Sequence, residues 1–179
     1  AAEMDALCAV QGDRLVVVLG GVQDAQRAGE VIAEHFGEGP IVMGPVTPGL
    51  PSAHHSARAV QAAFRAVAGW PDAPRPVHSD ELLPERALSG DGHARRYLVD
   101  EIYLRLARSN ATLVDTLAAY FDAGNSIEGA ARTLYVHPNT VRYRLRKAAD
   151  LTGLIPTEPR HAFTYQIALV LGRQSGRSL

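Results

Sequence analysis

The chain has 179 residues, 46% hydrophobic and 21% charged, with a formal net charge of -1. That is apolar material for one or two small packed domains, and a near-neutral balance excludes a chain whose whole surface acts as a polycation. Its single cysteine, Cys8, excludes an internal disulfide and a cysteine-rich zinc site, and fits a reducing, cytoplasmic setting.

No apolar run of about 18 residues is long enough to span a membrane. The opening AAEMDALCAV carries acids and no basic start, so it does not read as a secretory signal. The absence of Met at position 1 leads us to expect a fragment.

In chain order, LCAV is a short apolar strand, QGDR a turn built on Gly12 and Asp13, and LVVVL a β-branched strand ending at Gly20 and Gly21. Together they predict a hairpin, with Cys8 as a buried, inert thiol in an apolar strand. Asp24 is placed to cap a helix carrying Ala28, Val31 and Ile32 at helical spacing. PIVMGPV returns to strand. Pro48, Gly49 and Pro51 form a loop, Ser52 is a candidate N-cap, and residues 53–68 form an alanine-rich amphipathic helix. PDAPRPVH connects to a short strand around Val77.

Beyond LSGDG the pattern changes, and from Gly92 onward the periodicity is helical throughout. Helices are expected over ARRYLVDEIYLRLAR and ATLVDTLAAYFDAG, then SIEGAARTL capped by Ser126, PNTVRYRLRKAADL with Pro138 in its first turn, and PRHAFTYQIALVLG. The fold class is therefore α+β, an α/β layered piece followed by an all-α piece, with the boundary placed in the Ser/Gly/Asp cluster of residues 88–92.

Several residues tempt a catalytic or metal reading. His54 and His55 are adjacent and point about 100° apart on a helix, a poor chelating pair. Ser52, Ser56 and Ser79 lack a nucleophile elbow. GDGHARR lacks the Lys-Ser/Thr tail of a phosphate loop and reads as a helix entry. We therefore expect no catalytic residue, no cofactor and no metal.

The charge is concentrated in one place. Between Ser126 and Ala149 stand Arg132, Arg142, Arg144, Arg146 and Lys147, against the single acid Glu128. Ile127, Ala130, Ala131 and Leu134 share one face of the first helix of this pair, and small Ala131 admits a close crossing. Val136 can plug the turn. Val141, Leu145 and Ala148, at i, i+4 and i+7, turn the second helix inward. Asn139, Arg142, Tyr143 and Arg146 are then left outward, flanked by Thr140, Arg144 and Lys147. This is the pattern of a helix-turn-helix over residues 126–149 whose second helix, about 138–149, enters a DNA major groove. Arg can bond guanine O6 and N7 with two hydrogen bonds, and Asn can do the same to adenine. Lys, Thr and Tyr suit phosphate oxygens, and the helix N-terminus favours a phosphate.

The stretch YFDAGNSIEGAARTLYVHPNTVRYRLRKAADLTG, above all HPNTVRYRL, closely resembles the C-terminal helix-turn-helix of the PucR/CdaR family of bacterial transcription regulators. The resemblance covers about residues 113–171 and implies a Fis-like DNA-binding unit. In it Asn139, Thr140, Arg142, Tyr143 and Arg146 face DNA, while His137 and Pro138 set the start of the recognition helix, His137 by capping or packing. Many such motifs place Gly in the turn where this chain has Tyr135. A turn needing positive φ is strained there, so a differently built turn is expected.

Residues 1–89 resemble the degenerate GGDEF-like domain that often precedes this motif, here beginning part-way through its fold. At the hairpin turn Gly12 and Asp13 survive, but Gln11 and Arg14 stand in place of a glycine and an acid. Arg14 removes a carboxylate that Mg²⁺ needs, so no nucleotide cyclisation is expected. Residues 90–179 are read as the DNA-binding domain. The partners implied are double-stranded DNA and a second copy of the chain, with any effector sensed by a region outside this sequence. A nucleotide-binding or enzymatic front half is the competing reading. A third is a helical bundle whose basic helix meets an acidic protein.

Overall fold

The computed structural model describes residues 5–176. The chain is α+β and divides into two compact units, the first ending at Leu82 and the second starting at Leu83.

The first unit opens with the hairpin β1 (Ala6–Gln11) and β2 (Arg14–Leu19), paired antiparallel from Ala6↔Leu19 to Gln11↔Arg14. Gly12, at φ 65, sits first in the two-residue turn, where a positive φ is needed. Helix α1 (Ala25–Ala33) starts at Asp24, whose carboxylate accepts the Arg27 amide at 3.0 Å. β3 (Val42–Met43) and β4 (Val77–His78) form a two-residue parallel pair, shorter than the PIVMGPV run implied. Helix α2 (Ala53–Ala66) has Ser52 at its N-cap position, but the hydroxyl donates to the Gly49 carbonyl at 3.0 Å and makes no cap bond. The rings of His54 and His55 lie tilted by 38° with centroids 4.0 Å apart. Ala63, Val67, Val77 and Leu82 form a small buried cluster.

One expectation fails here. Cys8 is exposed, not buried. Among the described residues β1 pairs only with β2, and Val10 on the same strand is 78% exposed.

The second unit is helical. Helix α3 (Leu83–Leu88) joins it because buried Glu85 accepts both ends of the Arg160 guanidinium from α9 (Pro159–Gln174), 75 residues away. The sequence-drawn boundary at 88–92 falls at the turn between α3 and α4 (Gly92–Tyr97). In that turn Asp91 caps α4 through the His93 amide at 2.9 Å and pairs with Arg86 at 2.9 Å. From Gly92 the chain stays helical to the end of α5 (Leu104–Ser109), passing through a π-helical stretch at Leu98–Tyr103.

Helix α6 (Ala111–Asp122) is capped by Asn110, which accepts the Thr112 amide at 2.9 Å. Then come α7 (Ile127–Thr133) and α8 (Pro138–Thr152). Leu98, Leu106, Leu113, Leu117, Val141 and Tyr165 are the large side chains at the centre of this core. Tyr165 of α9 is fully buried, and its hydroxyl donates to the Leu154 carbonyl at 2.9 Å, just past the end of α8. Burial pushes that phenol up to about 12, against the opposing pull of the Thr152 hydroxyl.

Candidate nucleic-acid interface

Two helices and a tight turn build the site. Ser126 accepts the Gly129 amide at 3.0 Å and starts α7 as expected. Ala130 and Ala131 are buried, and small side chains there let α8 cross closely.

Helix α7 ends in a Schellman motif. The Val136 amide donates to the Ala131 carbonyl at 3.0 Å, and the Tyr135 amide to Arg132 at 3.3 Å. This geometry demands a left-handed residue, and Tyr135 supplies it at φ 53. The expectation of a differently built turn is therefore corrected. The turn is the ordinary left-handed one, held by two backbone bonds and by Val136 packed on the core, although its residue has a Cβ. The Tyr135 side chain is 96% exposed, so nothing packed on it accounts for the conformation.

Helix α8 begins at His137, whose Nδ1 accepts the Asn139 amide at 3.2 Å. His137 thus takes the capping role, and Pro138, which has no N–H, fits the first turn. The Thr140 and Val141 amides both donate to the His137 carbonyl. With the Asn139, Thr140 and Val141 amides bonded to His137 and Pro138 lacking an N–H, the helix dipole and the Thr140 hydroxyl are what these residues offer a phosphate.

Val141, Leu145 and Ala148 are all buried. Because 3.6 residues make a turn, anchoring that stripe leaves the opposite side exposed, and Asn139, Arg142, Tyr143 and Arg146 are all exposed. Thr140, Arg144 and Lys147 lie half-buried at the flanks. The side chains of Thr140, Tyr143, Arg146 and Lys147 have no hydrogen-bond partner among the described residues.

Two arginines are held. Arg142 donates through Nη1 to Asn139 Oδ1 at 2.9 Å and through Nη2 to Glu128 Oε1 of α7 at 3.3 Å. Arg144 donates through Nη1 to Thr116 Oγ1 of α6 at 3.2 Å. Sequence reasoning missed both tethers, since their partners lie 14 and 28 residues away. Glu128 was visible only as the lone acid of the segment.

Residues 113–171 match the PucR C-terminal helix-turn-helix domain, and residues 1–66 match a GGDEF-like domain. A protein of Mycobacterium tuberculosis is 44% identical over 169 residues, 94% of this chain and 41% of its own length. The purine catabolism regulatory protein of Bacillus subtilis is 35% identical over 66 residues, 37% of this chain and 12% of its own. The crystal structure of a regulator of polyketide synthase expression from Bifidobacterium adolescentis superposes with a TM-score of 0.83 at 34% identity, covering 97% of this chain and 70% of that one. The chain thus spans less than half the length of the mycobacterial relative.

Proposed function

This chain belongs to the family of regulators that join a GGDEF-like domain to a PucR C-terminal helix-turn-helix, and we propose on that premise that it is the sequence-specific DNA-binding part of a cytoplasmic transcription regulator. One observation carries the reading. The buried stripe Val141, Leu145 and Ala148 holds α8 so that Asn139, Arg142, Tyr143 and Arg146 are presented outward.

In this reading α8 lies in a major groove. Arg142 and Arg146 read guanine edges, Asn139 contacts a base beside them, and Thr140, Tyr143, Arg144 and Lys147 hold phosphates. One helix-turn-helix contacts few base pairs, so two copies bind as a dimer with half-sites about 34 Å apart. The DNA-binding domain is the compact unit that starts at Leu83 and the GGDEF-like domain the one that ends at Leu82, and the effector acts on a part of the whole protein outside this chain.

The GGDEF-like part does no nucleotide chemistry in this proposal. At its hairpin turn Asp13 pairs with Arg14 at 3.5 Å, and the Arg14 guanidinium lies 4.8 Å from the Phe64 ring centroid. A fixed cation where a metal-binding acid is needed opposes Mg²⁺ and phosphate chemistry together. Incubation with GTP and Mg²⁺ should give no cyclic product, and turnover would revive the enzymatic reading.

The test of the main proposal is selection of bound duplexes from a random pool, with affinity followed against salt. A two-fold symmetric site and a steep salt slope are expected. Recovery of random sequence would count against it.

A further inference from the structure

The ion pair between Glu128 and Arg142 is unusual for its location. Glu128 is the only acid between Ser126 and Ala149, and a carboxylate there repels the phosphates of any approaching duplex. Both side chains are well exposed, 59% and 44%, so the pair adds little to stability. Its geometry offers another use. Glu128 Oε1 takes one N–H of Arg142 Nη2, and Asn139 Oδ1 takes one of Nη1. A guanidinium has five N–H groups, so three remain, and a guanine edge needs two. Arg146, on the same side of α8, has no such props among the described residues.

We infer that Glu128, with Asn139, is a positioning residue that fixes the Arg142 guanidinium for one guanine, so that an acid on α7 sets sequence preference on α8. This rests on the DNA-reading role of α8 given above. A propped arginine is ordered before it meets a base, so it loses less rotamer freedom on binding and discriminates more sharply than an unpropped one. Glu128 therefore lowers affinity for DNA in general and raises discrimination at one base pair.

That double effect is the test. Once a preferred site is known, the protein and its Glu128→Ala, Glu128→Gln and Arg142→Ala variants are titrated against that site, against single-base changes at each position, and against random duplex. Arg142→Ala identifies the guanine that Arg142 reads. At that position Glu128→Ala should lose most of an about 5- to 150-fold preference, while binding random duplex as tightly as the parent or tighter. Glu128→Gln, which keeps an acceptor, should retain part of the preference. Glu128→Ala added to Arg142→Ala should change the preference no further. Preference at that guanine unchanged in Glu128→Ala would overturn the inference, and so would an equal loss at every position, which signals a merely structural role. A parent protein without any sequence preference would instead remove the DNA-reading role beneath it, and the inference with that role.

Discussion

Arg144 belongs to the cationic helix but is tied backward: its Nη1 donates to Thr116 Oγ1 on α6 at 3.2 Å, while Arg146, two residues on, is exposed. Thr116 in turn donates to the Thr112 carbonyl at 2.6 Å, so the arginine closes a short chain of hydrogen bonds over the core. Two cations in one short run thus have different surroundings.

The difference is measurable. Arg144→Ala should lower stability by about 1 kcal/mol and weaken binding to all duplexes alike, through one lost phosphate contact, with the site preference unchanged. Chemical denaturation and binding to paired specific and random duplexes read the two effects separately. A changed base preference in this variant would put Arg144 among the base readers instead.

The turn makes a second prediction. Tyr135 holds φ 53 with its side chain in solvent, and the left-handed region costs a residue with a Cβ about 1–2 kcal/mol. Tyr135→Gly removes that cost but gives the unfolded chain more freedom, so the two effects nearly cancel or leave a gain. Tyr135→Val places a β-branched residue in the same conformation and should lose stability. Thermal melting should rank glycine at or above tyrosine and valine below both; valine matching tyrosine would deny that the turn keeps its left-handed form.

A third concerns packing. Gly172 of α9 is buried, and a Cβ there would lie 2.1 Å from Tyr103 Cγ, inside the π-helical stretch. Helix propensity alone says that Gly172→Ala stabilises by about 1 kcal/mol. The clash reverses the sign, and a net loss of about 1–3 kcal/mol is expected. Urea midpoints decide it, and an alanine variant more stable than the parent would mean that α9 and residues 98–103 do not approach so closely.

The stripe that sets α8 was legible because it is local: apolar residues recur at helical spacing, and Ser126 and Pro138 mark helix starts by their own chemistry. Positions 127–134 gave the small-residue face in the same way. The tethers were not legible. Thr116, Glu128 and Glu85 find their arginines only when separate helices pack, and nothing near them in the chain names the partner. The sign of φ at Tyr135 was hidden for a different reason. Side-chain preference argued against it, and two backbone bonds decided it. Cys8 misled because an apolar strand was read as a covered one, whereas β1 pairs with β2 alone among the described residues. The place of α3 was missed because a change in composition at Gly92 says nothing about which unit a six-residue helix packs with.

A fourth prediction follows from Asp91. Burial alone would raise its carboxyl, but the Arg86 guanidinium and the His93 and Ala94 amides outweigh that and hold it below the ordinary carboxylate range. A depressed folded value gives stability that is complete above the unfolded carboxylate's range and is lost as the pH falls through the folded value. The parent should therefore lose more stability on acidification below about pH 4 than Asp91→Asn, which has no such proton to gain. Denaturation curves at neutral and acid pH test this, and parallel losses in both proteins would contradict it.

Whether α8 presents its arginines to a duplex is decided by the binding of Arg142→Ala and Arg146→Ala to the selected site. Each variant should fold as the parent does, since both side chains are exposed, and each should lose about 1–3 kcal/mol of specific binding. Two folded variants that bind that site as tightly as the parent would mean that α8 does not read the duplex through these arginines.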